Sequence, residues 1–219
     1  MITEYSFYDI ASNDAETRKI LTEASTFKLD SISVLPFNLK LAKNILGSNS
    51  SISLSCPIDY PLGIMDAKSR NESLLFAIKN GAKIIDMVCP VYLLCNRKYD
   101  KFKEDIKISQ NICLENGVVL RYILEYRVYS YELLYKVAQI LLEHQIETVY
   151  PSTGYFIDNI SDNILACALI NKKIPKMNII SNANFWNDNH VELVLKANLF
   201  GLRVNSINAL NILYKNMPK

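Results

Sequence analysis

The sequence predicts an α/β protein, a single (β/α)8 TIM barrel spanning residues 1–219. Three observations carry this reading. Short β-branched runs alternate eight times with longer amphipathic runs. No linker, low-complexity tract or long charge run divides the chain. An open doubly wound sheet would show a glycine-rich turn after its first strand, and none occurs.

In chain order, a strand is expected at Ser6–Ile10, followed by a helix over Asp14–Thr26. Ser31–Leu35 precedes a helix over Asn38–Leu46, and Ser51–Cys56 one over Lys68–Asn80. Lys83–Cys89 leads to Asp100–Asn116, whose apolar residues Phe102, Ile106 and Cys113 share one helical face. Val118–Glu125 precedes Ser130–His144, and Glu147–Ser152 precedes Asp158–Asn171. Met177–Asn182 and Asp188–Asn198 form the seventh unit, Gly201–Ser206 and Ala209–Asn216 the eighth. Ser130 and Asp188 are cap-type residues at helix starts. Gly81, Gly117 and Gly201 stand just before strands, where a helix ends in a left-handed turn. Gly63 and Gly154 follow strands, on the side where a barrel builds its site.

Composition excludes several function classes. With 24 basic and 22 acidic side chains the net charge is +2, which gives no footprint for nucleic acid or a polybasic membrane contact. No apolar run approaches the ~18 residues of a transmembrane helix. Met1-Ile2-Thr3-Glu4-Tyr5 lacks the basic start and apolar run of an export signal. Five cysteines, an odd number without a Cys-x-x-Cys pair, read as reduced thiols in the cytoplasm. His144 and His190 do not sit at metal-ligand spacing from a cysteine, so neither a metal nor a cofactor is expected.

Several segments, taken together, resemble the deoxyribose-phosphate aldolases, class I aldolases built on a (β/α)8 barrel. Ser33-Val34-Leu35-Pro36 matches the family's second strand, and Cys56-Pro57-Ile58-Asp59-Tyr60-Pro61-Leu62-Gly63 an expanded form of its Phe-Pro-x-Gly turn. Glu72, Ala77, Gly81-Ala82 and Ile85-Asp86-Met87-Val88 follow the next conserved run. Arg121-Tyr122-Ile123-Leu124-Glu125 resembles Lys-Val-Ile-Leu-Glu. Val149-Tyr150-Pro151-Ser152-Thr153-Gly154 resembles Val-Lys-Thr-Ser-Thr-Gly, and Phe200-Gly201-Leu202-Arg203-Val204 the start of the last strand.

The resemblance implies a Schiff base between a lysine and a sugar carbonyl, with a second lysine lowering the first one's pKa and a carboxylate relaying protons. Here the first lysine aligns with Tyr150 and the second with Ile179, while the carboxylate remains as Asp86. A phenol forms no imine, and an aliphatic side chain cannot tune one. The glycines expected around the substrate phosphate are replaced by Asn182-Ala183, and the last strand ends in Asn205-Ser206. Lys83, Lys172, Lys173 and Lys176 fall at strand starts or helix ends, away from an interior site. A lysine placed at position 150 alone would lack the neighbouring cation.

Asp86 is therefore a remnant of the catalytic set and is expected to pair with Arg121 or Arg203 inside the barrel. Candidate ligand-binding residues are Asp9, Glu125, Ser152, Thr153, Tyr155, Ser181 and Ser206, and Trp186 could cap the pocket. The leading reading is an aldolase-like pseudoenzyme with a binding or assembly role. Its partners would be a small sugar or sugar phosphate, its own copies or another protein. Acid–base lyase chemistry by Tyr150, Asp86 and Glu125 on a sugar phosphate is the alternative, and a working aldolase would require a different alignment. A polar open cavity favours an enzyme; filling by Tyr150, Tyr155 and Ile179 favours the noncatalytic reading.

Overall fold

Eight parallel strands close into a barrel in sequence order in the computed structural model, which describes residues 1–156, 159–182 and 187–217. The strands are β1 (Ile2–Phe7), β2 (Ser31–Val34), β3 (Ser53–Ile58), β4 (Ile84–Val88), β5 (Val119–Ile123), β6 (Thr148–Tyr150), β7 (Asn178–Asn182) and β8 (Gly201–Val204). Helices α1 (Asp14–Ala24), α2 (Leu39–Leu46), α3 (Ala67–Lys79), α4 (Val91–Cys95) and α5 (Tyr99–Glu115) lie in the first half. Helices α6 (Tyr131–Glu143), α7 (Ile160–Lys173), α8 (Asp188–Lys196) and α9 (Ile207–Asn216) complete the ring. The fold is the (β/α)8 barrel the alternation predicts.

Register decides which side chains share the interior. Glu4 pairs with Ser31 and with Arg203, Ser55 with Ile84, Pro57 with Asp86, Asp86 with Arg121, and Ile123 with Tyr150. Side chains alternate along a strand and neighbours in register share a face, so these residues point inward. Tyr5, Ile32, Leu54, Ile85, Met87, Tyr122 and Val149 point the other way, into the layer under the helices. Leu74 of α3, Phe102 and Ile106 of α5, and Leu134 and Leu141 of α6 are fully buried there. Each such side chain contributes about 1.5–3 kcal/mol of apolar burial.

Caps set the helix starts. Asn13 opens α1 with a capping box, accepting from the Glu16 amide while the Glu16 carboxylate accepts from its own. Asp66, Ser130 and Ser206 cap α3, α6 and α9 through their side-chain oxygens. The cap of α8 is Asn187, one residue before the expected Asp188, which is the first helical residue.

The first strand departs most from the sequence reading: it runs over Ile2–Phe7, not Ser6–Ile10. Tyr5 and Phe7 face the helices, and an inward Glu4 interrupts the apolar run that usually marks a strand. Ile10 lies beyond the strand and is 82% exposed. The third strand is displaced by two residues, and α4 lies between the fourth strand and α5, where the sequence pattern predicts no element. The Asp158 start expected for the helix of the sixth unit lies outside the described residues; that helix, α7, is capped by Asn159.

Two glycines are required for different reasons. Gly201 does not adopt positive φ; it sits in β8 facing Ile2, where a Cβ would collide with the isoleucine side chain. Gly63 has φ +63°, and a Cβ there would run into the Cys89 carbonyl oxygen. Backbone strain and a backbone clash would add, so Gly63→Ala is expected to lower stability by about 2 kcal/mol or more. Urea unfolding of the two proteins measures it.

Candidate functional site in the barrel interior

The interior is occupied by a closed ionic network. Arg203 of β8 reaches across the barrel to Asp86 of β4, Nη2 to Oδ2 at 2.7 Å. The same guanidinium meets Glu4 of β1, with Nε donating to Oε2 at 3.0 Å. Arg121 of β5 donates from Nε to Asp86 Oδ1 and from Nη1 to Glu4 Oε1, both at 2.8 Å. Ser55 of β3 donates to Asp86 Oδ2 at 2.5 Å. Both carboxylates and both guanidiniums are at most 5% exposed. Asp86 thus has both arginines as partners.

Tyr150 completes the network. Its hydroxyl donates to Glu4 Oε2 and accepts from Arg203 Nη2, each at 2.6 Å. Its ring lies 4.2 Å from the Arg203 guanidinium carbon and 5.2 Å from that of Arg121. Above it, Arg203 Nη1 donates to the Tyr8 hydroxyl, which bonds Ser33 Oγ at 2.8 Å. Val88, Ile123 and Ile180 pack around the Tyr150 ring. Serines stand at the inward positions of β2 and β3 beside these large groups.

The electrostatics follow from two opposing effects. Burial alone would raise the pKa of Glu4 and of Asp86, but the two guanidiniums outweigh it and hold both carboxyls below the usual range. Burial raises the Tyr150 phenol well above its ordinary value, although both arginines pull it down. Tyr8 is likewise pushed up to about 12 by burial. The set carries two negative and two positive charges and is neutral overall.

The other candidate residues do not converge on this point. Glu125, at φ +57°, accepts from the Thr153 amide and hydroxyl and from Arg127 Nε, which locks the β5 and β6 loops together. Ser152 accepts from Asn163 of α7 and donates to the Asn182 carbonyl. Ser181 points out of the barrel and bonds Asn163, so it is not placed for a ligand in the interior. Asp9 is exposed and accepts from Ala11 and Ser12, while Ser206 caps α9. Tyr155 does not fill the barrel; it is 63% exposed at the rim, edge-on to Tyr60 and Phe156. Ile179 pairs with the outward Val149 and packs under the helices, so the inward neighbour of Tyr150 is Ile180. Ala183 and Trp186 lie outside the described residues.

Sequence reasoning missed Glu4, Tyr8 and Ser55. The signal for Glu4 was the outward alternation of Tyr5 and Phe7, which places residue 4 on the inner face. Among the described residues no cluster of three or more His, Cys, Asp or Glu could hold a metal, and no helix is long and apolar enough to cross a membrane.

No protein-family model matches the chain. Deoxyribose-phosphate aldolase of Bdellovibrio bacteriovorus is 30% identical over 141 residues, which cover 64% of this chain and 63% of that protein. The enzyme of the same name from Finegoldia magna is 31% identical over 144 residues, 66% of each chain. The matched stretch thus spans less than two thirds of these relatives. Among solved structures, the aldolase QR15 superposes with a TM-score of 0.84 at 17% identity, covering 97% of this chain and 94% of its own. Deoxyribose-phosphate aldolase from Aeropyrum pernix gives 0.81 at 15% identity, over 98% and 89%. Over these stretches the chain is similar in sequence to deoxyribose-phosphate aldolases, and it shares the barrel of the two solved aldolases.

The resemblance aligns its two lysines with Tyr150 and Ile179; of these only Tyr150 faces the interior, and the residue packed beside it from β7 is Ile180. Among the described residues no lysine is buried; all are exposed except the half-buried Lys103 on α5. Position 150 is not short of cations, contrary to the sequence reading, since Arg203 and Arg121 both flank it.

Removing one member of the network leaves a buried charge unpaired. Glu4→Gln or Asp86→Asn is therefore expected to cost about 3–5 kcal/mol, read from chemical denaturation at pH 7. Both carboxyls have lowered folded-state pKa values. Their contribution is present above the ordinary values of 4.5 and 3.8 and is lost as pH falls below them. The acid limb of the stability profile is expected to flatten in both variants.

Proposed function

We propose that the protein is a noncatalytic relative of the deoxyribose-phosphate aldolases that keeps the barrel for binding or assembly. One observation carries this reading: the side chain at the Schiff-base position is a buried tyrosine whose hydroxyl is bonded to Glu4 and Arg203. Imine formation needs a neutral amine with an approach path for a carbonyl. The Tyr150 phenol supplies no amine, and the space beside it holds Val88, Ile123 and Ile180.

Asp86 is equally committed. It accepts from Ser55, Arg121 and Arg203, so a role as proton relay would require breaking a neutral buried set. The same commitment argues against acid–base lyase chemistry by Tyr150, Asp86 and Glu125. An assembly role is supported by the βα loops, the face where a barrel enzyme takes substrate. They expose Ile10, Phe37, Ile64, Tyr92 and Tyr155, each more than 60% accessible. Such side chains gathered on one end favour contact with another protein surface. Five cysteines without a disulfide fit a reducing compartment such as the cytoplasm.

Incubation with acetaldehyde or deoxyribose 5-phosphate followed by borohydride is expected to leave the intact mass unchanged. A stoichiometric reduced adduct on a lysine would overturn the noncatalytic reading.

Tyr150→Lys is expected to stay without aldol cleavage, measured as glyceraldehyde 3-phosphate release in a coupled assay. Whatever its charge, the new amine would sit among Val88, Ile123 and Ile180 and within the Glu4–Arg203 network, with no approach path for a carbonyl. Tyr150→Lys with Ile180→Lys is expected to remain inactive as well. Robust turnover by the single variant would show that only the nucleophile had been lost.

A further inference from the structure

A second buried ionic cluster lies outside the barrel, between α3 and α5, and its charges do not balance. Arg70 of α3, Asp59 of the β3–α3 loop and Asp105 of α5 are 1%, 6% and 4% exposed. Arg70 Nη1 donates to Asp59 Oδ2 at 2.5 Å and to the Val88 carbonyl at 2.8 Å. Asp59 Oδ1 is engaged by the amides of Ile64 and Met65. Asp105 is less well served. Arg70 Nη2 faces its Oδ2 at 3.2 Å without the alignment of a hydrogen bond, and no protein donor reaches Oδ1. Two carboxylates therefore share one guanidinium, whereas the barrel network has two of each.

Asp105 and Arg70 form the inner wall of a cavity of about 560 Å³. Its remaining walls come from the start of α3, the turn at Pro90 and the outer face of α5. They are mostly apolar, with Ile64, Met65, Leu93 and Ile108, and Tyr92 stands at one side. Asp66 and Glu104 add negative charge and Lys101 a single positive one. A pocket of this size, apolar with a few convergent polar groups, has the form of a small-molecule site.

We propose that this pocket binds small organic ammonium ions, with the ammonium group on Asp105 and the hydrocarbon body against Ile64, Met65 and Ile108. An ammonium ion supplies the donors that Asp105 lacks and the positive charge the buried trio is missing. An anion would meet the excess of carboxylates. A metal ion would find too few ligands, since among the described residues no three acidic, His or Cys side chains are placed to hold one together. Burial raises the Asp105 pKa despite the opposing pull of Arg70, which is the sign of a carboxylate short of counter-charge. The site is independent of the barrel interior and of whether that interior catalyses anything.

The test is titration of the full chain at pH 7.5 with phenethylammonium and with its neutral analogue 2-phenylethanol, followed by calorimetry and by amide chemical shifts. Saturable binding of the amine is expected, with 2-phenylethanol weaker by about tenfold or more. Shifts are expected to centre on residues 64–66 and 104–108. Asp105→Asn should weaken the amine to the level of the neutral analogue, and Ile108→Trp, which fills the cavity without touching its charge, should block both compounds. Absence of amine binding, equal affinity for the two compounds, or shifts centred elsewhere would overturn the proposal. If Asp105→Asn does not fold, Ile108→Trp and the shift map decide it: undiminished binding in Ile108→Trp also overturns the proposal.

Discussion

The Arg203 guanidinium, held inside the barrel by Glu4, Asp86 and the Tyr150 hydroxyl, is the interaction around which the rest of this structure is arranged. It links β8 to β1, β4 and β6, so one side chain ties together strands on opposite walls. An ion this large, wholly removed from water, persists only if each charge is matched. Arg121 supplies the match by bonding the same two carboxylates from β5. The usual filling of a small barrel is layers of branched aliphatic side chains. Here serines on β2 and β3 replace part of that filling. Their small volume is what lets two arginines, two acids and a tyrosine fit.

The network bears on stability and on function in different ways. A buried ion pair often does little better than apolar packing, because desolvation consumes most of the Coulombic gain. Its effect lies in discrimination, since a strand register that displaced any one member would leave charges unpaired in a dry interior. For function, the same commitment supports the proposed noncatalytic role, because Tyr150 and Asp86 are each bonded to other members of the network. Each group that could act as nucleophile, acid or base is already a partner of another.

The Asp59–Arg70–Asp105 cluster provides the contrast. It is as deeply buried as the barrel network, yet one carboxylate exceeds the available cations, and it borders a cavity rather than packed side chains. The two clusters differ in charge balance and in access, not in burial.

The sequence by itself determined the barrel, because the alternation of strand and helix patterns repeats over the whole chain and is local information. It also gave the pairing of Asp86 with arginine, since Asp86, Arg121 and Arg203 stand on inward faces that two-residue periodicity reveals. The first strand was misplaced because an inward acid interrupts its apolar run, and the partners that hold Glu4 inside lie 117 and 199 residues away. Position 179 was taken as inward because a pattern match carries no strand register; pairing with Val149 turns it outward and brings Ile180 to Tyr150. Ser181, Tyr155 and Asp9 were grouped by sequence likeness, but their side chains find hydrogen bonds or aromatic contacts in three separate places. Only closure of the barrel decided these points. Which buried charge meets which depends on strand register and on the opposite wall, and neither is encoded in any local stretch of the chain.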